Sequence, residues 1–201
     1  MKILALELST ARGSLALRGD NLEFSREWPN DRKNCGRFFE HLTEVREQFG
    51  APDRIVVGLG PGSYAGIRIA ISAAIGLQAA YNAQLVGLPS ICAIEWDASE
   101  YCALGDARRQ SFFFARIFEN DLVEGPLLMT EGELQVKLAT LPALTLVFSA
   151  DKLPQFDRVQ VRYPSAELLA RLAQEERRSF ASPPLEPMYL REPHITMPRS
   201  K

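Results

Sequence analysis

Within Val56 to Ala80 an apolar, β-branched run breaks into glycines and resumes as a long helical pattern. The break is Gly58-Leu59-Gly60-Pro61-Gly62-Ser63, and Tyr64 to Ala80 follows it. Few folds accept such a sequence, which predicts a strand, a tight turn and a helix. Three glycines and a proline permit unusual φ angles and close backbone approach, and Ser63 is placed to cap the first helical turn. At 3.6 residues per turn, Ile67, Ile71, Ala74, Ile75 and Gln78 form one stripe. Gly66, Ala70, Ala73, Leu77 and Ala80 form a second stripe of mostly small residues. A helix apolar around most of its circumference is covered on more than one side. It is expected to lie on its own sheet and to meet a second helix or a second chain.

A glycine-rich turn between strand and helix also suggests three kinds of enzyme. A P-loop ends in Gly-Lys-Ser/Thr, and no lysine stands here. A hydrolase nucleophile elbow is Gly-x-Ser-x-Gly, but Ser63 has Pro61 and Ala65 at the glycine positions. Gly60 to Ala65 satisfies the loose dinucleotide pattern Gly-x-Gly-x-x-Ala. That pattern should be answered by an acidic residue about 20 positions on, and Ala83 to Gly87 contains none. A turn serving a buried helix is the simpler expectation.

The chain has 201 residues, 46% hydrophobic and 24% charged, enough for one large domain or two of about 100 residues. Its net charge of −2, with both signs interspersed, argues against an unaided grip on nucleic acid, which needs clustered Lys and Arg. No apolar run approaches the roughly 20 residues of a membrane span, and no secretory leader pattern opens the chain. A cytosolic protein is expected. Cys35, Cys92 and Cys102 are scattered, as reduced thiols would be. His41 and His194 are the only histidines. His41 reads as lying on the wet face of a helix and His194 lies in a proline-rich tail, so no metal site is expected.

From the start, Lys2 to Leu8, Ser14 to Arg18 and Leu22 to Trp28 read as three antiparallel strands. Asn34 is placed to cap a helix carrying Phe38, Leu42, Val45 and Phe49, which Gly50-Ala51-Pro52 stops. After the central strand and helix, Gln84 to Leu88 reads as a fifth strand, and Pro89-Ser90 opens a helical stretch toward Trp96. From Tyr101 the grammar repeats. Strands are expected at Tyr101 to Leu104, Ser111 to Phe118, Pro126 to Thr130 and Leu144 to Ser149, with helices at Glu131 to Leu138 and after Ser165. Two successive βββαβα units predict an α/β protein with a duplicated ribonuclease-H-like fold, mixed sheets flanked by helices. The lobes are expected at 1–98 and 99–201, the second trimmed and ending in an extended tail.

Four stretches carry a family resemblance. Ile3 to Thr10, Gly60-Pro61-Gly62-Ser63-Tyr64-Ala65-Gly66-Ile67-Arg68, Asp106-Ala107-Arg108 and Pro187-Met188-Tyr189-Leu190-Arg191 resemble, in order, the signatures of the bacterial TsaB (YeaZ) family. The resemblance implies an actin-like, Hsp70-like ATPase fold. It also implies a noncatalytic subunit that pairs with TsaD to make threonylcarbamoyl-adenosine next to the anticodon of tRNA, with the ATPase TsaE joining the pair and tRNA met only through the complex. Members pair through their first two helices and self-associate through the same surface when TsaD is absent. Carried onto this chain, that surface comprises Phe38, Leu42, Val45, Gly62, Ser63, Tyr64, Gly66, Arg68, Ala70, Ala73, Leu77 and Ala80.

In actin-like ATPases an acidic residue on the first strand and the Ser/Thr turn after it face metal and phosphate. Glu7, Ser9 and Thr10 occupy those places. Glutamate is one methylene too long to position a metal-bound water as aspartate would, so the three read as a vestigial phosphate hairpin. The metal that the resemblance assigns to TsaD needs a His-x-x-x-His pair, whereas the two histidines here lie 153 residues apart. The expectation is therefore no catalytic residue, no metal and no cofactor. The alternative is an actin-fold ATPase or small-molecule kinase holding phosphate on the Ser9-Thr10 turn. Asn34 and Ala65, where relatives carry histidine and threonine, are further departures that bear on partner contacts.

Overall fold

A computed structural model describes residues 1–31, 36–175 and 177–191. Among these residues, ten strands form two five-stranded sheets. The first contains β1 (Ile3–Glu7), β2 (Arg12–Gly19), β3 (Leu22–Pro29), β4 (Arg54–Gly58) and β5 (Gln84–Leu88), in the order β3-β2-β1-β4-β5. The second contains β6 (Glu100–Asp106), β7 (Ser111–Phe118), β8 (Asp121–Thr130), β9 (Val147–Ser149) and β10 (Val159–Val161), in the order β10-β9-β6-β7-β8. The plan repeats. In each sheet the opening strand pairs antiparallel with the next and parallel with the fourth.

The helices are α1 (Arg37–Phe49), α2 (Tyr64–Tyr81), α3 (Glu131–Thr140) and α4 (Ala166–Leu172). Alternation along the strands sends side chains to both faces. Leu4, Leu6, Leu15, Leu17, Ile55 and Val57 pack on one face of the first sheet against Phe38 and Val45 of α1 and Ile67, Ala70, Ile71 and Ala74 of α2. Ile3, Ala5, Ala16, Val56 and Val86 fill the other face against Leu168, Leu169 and Leu172 of α4. A helix from the second half of the sequence therefore completes the first sheet. Ser165 caps that helix through the amides of Glu167 and Leu168, and Ser14 accepts from the amide of Ala166. In the second sheet, Phe112, Phe114 and Leu104 pack on Leu134 and Leu138 of α3, whose start is closed by a Thr130–Glu133 capping box.

Several local expectations are corrected. The stretch after Pro89 makes only a single 3₁₀ turn, Ser90–Ala93, because Ile94 is drawn into an antiparallel bridge with Pro164. Strand β10 has no counterpart in the sequence reading. Its three residues are held by parallel pairing with β9 rather than by a period of their own. His41 is not on a wet face, since its ring lies 5.1 Å from that of Trp28 and its side chain is mostly covered. Asn34 lies outside the described residues, and α1 opens at Arg37 with Gly36 at the cap position and no side-chain cap. No helix among the described residues is long and apolar enough to cross a membrane.

Candidate functional site

The glycine turn and the β1–β2 hairpin form one interlocked unit. Ser63 Oγ accepts from the amide of Gly66, as the capping pattern requires. The Ser63 amide donates to the Ser9 carbonyl at 2.6 Å, Gly60 N–H donates to Ser90 Oγ at 2.9 Å, and Leu59 N–H donates to the Leu88 carbonyl. A Cβ at Gly62 would lie 2.0 Å from the Ser9 carbonyl oxygen, and one at Gly66 would lie 2.1 Å from that of Leu8. The glycines are needed because backbone meets backbone here. The place where a phosphate loop would hold an anion is taken by a peptide carbonyl, and these amides are spent inside the protein.

The hairpin residues are committed in the same way. Thr10 Oγ1 donates to the Arg12 carbonyl and accepts from the Arg12 amide, closing its own turn. Asn30 Nδ2 ties the carbonyls of Leu8 and Thr10. Glu7 is fully buried, its Oε1 accepting from the Ser9 amide at 2.6 Å. The Ser9 and Ser90 hydroxyls lie beside the carboxyl, but Oε2 and Ser9 Oγ complete no well-formed hydrogen bond. A Cβ at Gly58 would fall 1.8 Å from Oε2, so this packing requires glycine there. Burial, opposed more weakly by the serine contacts, raises the Glu7 pKa above its ordinary value. The carboxyl is a component of the core, not a ligand held toward solvent.

Burial pushes the free thiols of Cys92 and Cys102 up to about 12 and about 11, so neither is a thiolate at neutral pH. Among the described residues no three His, Cys, Asp or Glu side chains group to hold a metal ion. His41 lies against Trp28 with the two rings tilted by 45°, and its Nδ1 is 3.4 Å from a carboxylate oxygen of Glu44.

The residues carried over as a pairing surface fall into two groups. Phe38, Val45, Gly66 and Ala70 are buried against the chain's own first sheet, and Leu42, Ala73 and Leu77 are half-buried at its margin. The first four cannot meet another chain. The smallness of Gly66 and Ala70 serves instead to bring α2 down onto the end of β1. Gly62, Ser63, Tyr64, Arg68 and Ala80 are exposed. The outer face of α2 runs through Tyr64, Ile69, Ser72, Ile75 and Ala79, with Ile69 41% and Ile75 50% exposed, and Phe39 of α1 is 53% exposed. The sequence stripes missed Ile69 and grouped the exposed Ile75 with the buried Ile67 and Ile71, because a helix apolar nearly all round gives a weak signal of its orientation. At the head of α2, Tyr64 lies 5.6 Å from Tyr189, and Arg68 donates to Tyr64 Oη at 2.9 Å.

Two mixed sheets of one plan, flanked by helices, define an α/β protein of the ribonuclease-H-like, actin-like class. The chain belongs to the family described as "TsaD: tRNA N6-adenosine threonylcarbamoyltransferase", whose model matches residues 38–186. Among solved structures it is similar to an uncharacterised protein with similarity to peptidase YEAZ from Pseudomonas aeruginosa. That match has 22% identity and a TM-score of 0.75, over 94% of this chain and 99% of that one. YeaZ from Pseudomonas aeruginosa matches at 21% identity and a TM-score of 0.69, over 86% of this chain and 90% of that one. At these identities the likeness is one of fold. No curated protein matches the chain.

Proposed function

We propose that this chain is a noncatalytic subunit of the tRNA threonylcarbamoylation machinery, pairing with TsaD through the outer faces of α1 and α2. The observation that carries the proposal is the filled glycine turn. A phosphate-handling member of this fold class needs free amides at that place, and here the amides of Ser63 and Gly60 are bonded to the Ser9 carbonyl and to Ser90. What the chain offers instead is an apolar surface of Phe39, Ile69 and Ile75 with a Tyr64–Arg68–Tyr189 cluster at its head, a composition typical of interface anchors. In the same reading TsaE joins the pair, tRNA is met through the assembly, the site of action is the cytoplasm, and the chain alone self-associates through this face.

Ile75→Arg places a charge at the centre of the face without touching the core, since Ile75 is half-exposed. The variant is expected to fold normally by circular dichroism and to lose at least a hundredfold in affinity for TsaD, about 2.7 kcal/mol, by titration calorimetry. Sedimentation should show its self-association weakened in parallel. Undiminished binding to TsaD would remove α2 from the interface. Purified alone, the chain is expected to turn over no ATP. Turnover abolished by Glu7→Ala would overturn the noncatalytic assignment.

A further inference from the structure

The chain that follows α4 holds the second sheet at both ends of β7 and packs on the first sheet in between. At one end, the nearly buried Arg178 side chain spreads its fork over the β7–β8 turn. It donates to the carbonyls of Glu119 and Asn120 and to the Asp121 carboxylate, and its Nε donates to Glu175. A guanidinium can serve several acceptors at once in this way, which an ammonium point charge does less well. At the other end, Leu190 packs on the core that contains Tyr101, Phe113 and Phe148, and Arg191 donates to Oγ of Ser111, the first residue of β7. Between these ends the chain belongs to the first sheet. Ala181 exchanges two backbone hydrogen bonds with Gly87 of β5, Leu185 is buried in the core beneath α1 and α2, and the Met188 amide donates to the Leu59 carbonyl at 2.8 Å.

Tyr189 stands where the two sets of contacts meet. Its ring faces that of Tyr64 at the head of α2, and its neighbours are tied to different sheets, Met188 to the first and Leu190 to the second. The ring is held in place only while both attachments hold. We propose that residues 178–191 form a clasp that couples the hold on the second sheet to the partner-binding head of α2, so that releasing the clasp withdraws Tyr189 and weakens pairing. The inference rests on the pairing face proposed above. Because such coupling is reciprocal, a bound partner tightens the clasp.

The test uses the full chain. Arg191→Ala removes the bond to Ser111 and Arg178→Ala removes the hold on the turn, and neither residue lies on α1 or α2. In the unbound chain, Arg191→Ala is expected to speed hydrogen exchange at the Met188 amide about tenfold and to leave the amides of β4 unchanged, as a local opening does. Arg191→Lys should restore part of the protection. Affinity for TsaD, read by titration calorimetry, should fall about fivefold or more in Arg191→Ala and in Arg178→Ala. In a Tyr189→Ala background Arg191→Ala should cost nothing further, since it acts through that ring. Unchanged exchange at Met188, undiminished affinity of Arg191→Ala for TsaD, or losses that simply add to that of Tyr189→Ala would each overturn the proposal. The exchange arm involves no partner and decides the clasp even where Ile75→Arg removes α2 from the interface. Where Arg178→Ala does not fold, Arg191→Ala carries the test alone.

Discussion

Gly66→Ala is expected to lower the melting temperature by about 10 °C, although alanine is the better helix former. The added Cβ would sit 2.1 Å from the Leu8 carbonyl oxygen, a contact with backbone that no side-chain rotation relieves. To make room, α2 must lift from the end of β1 and strain the bond from the Ser63 amide to Ser9. Overpacking of this severity costs about 3 kcal/mol, and in a domain of this length each kcal/mol moves the midpoint by about 2–4 °C. Gly76→Ala, in the same helix, is the control. A Cβ there meets nothing within 4 Å, so the helix gains up to about 1 kcal/mol of propensity and should melt slightly higher. If both substitutions had the same effect in differential scanning calorimetry, the close approach of α2 to β1 would be refuted.

The second large effect is one of pH. Because burial raises the Glu7 pKa in the folded protein, the folded state keeps its proton over a range in which the unfolded chain has lost it. Stability from this group is therefore full below the unfolded value near 4.5 and falls as the pH rises toward the folded value. Glu7→Gln retains the shape and removes the titration. The stability of the variant relative to the parent should climb by about 1.4 kcal/mol per pH unit from pH 5 upward, then level off once the folded carboxyl ionises. Glu44 and Glu133 have lowered pKa values, from the hydrogen bond with Arg26 and the backbone of Thr130 respectively, and produce the opposite slope at acid pH. They are present in both proteins and cancel in the difference. Urea unfolding of the two proteins at several pH values measures it, and a difference independent of pH would mean that Glu7 is ionised in the core.

Much of the fold was legible because it is written in local signals. The alternation of Ile3 to Glu7 and Ser14 to Arg18 gives the hairpin, Ser63 and Ser165 cap their helices, and the repetition of the opening three-strand pattern after Tyr101 predicts a second sheet of the same plan. What escaped depends on partners distant in sequence. Ile94 is claimed by Pro164, β10 exists only beside β9, and His41 is covered by Trp28. The site divides in the same way. That the glycines form a special turn could be read from spacing, whereas the packing of Glu7 on Gly58 and the side of α2 that faces outward could not. Gly66 and Ala70 look like a surface kept smooth for a partner, and their smallness is used by the sheet beneath them.

The placement of α4 sets an order of events during synthesis. Strands β1 to β5 are complete once residue 88 has left the ribosome, but the cover for Ile3, Ala5, Ala16, Val56 and Val86 arrives only with Leu168, Leu169 and Leu172, roughly 80 residues later. At about 5–20 residues per second, the nascent sheet shows a bare aliphatic face for on the order of ten seconds. During that interval it is a substrate for chaperones and a surface on which neighbouring chains on the same message can stick. A stop codon or stall anywhere between residues 98 and 165 would release a chain with that face permanently uncovered, so truncated products should accumulate as aggregates rather than as a free first half.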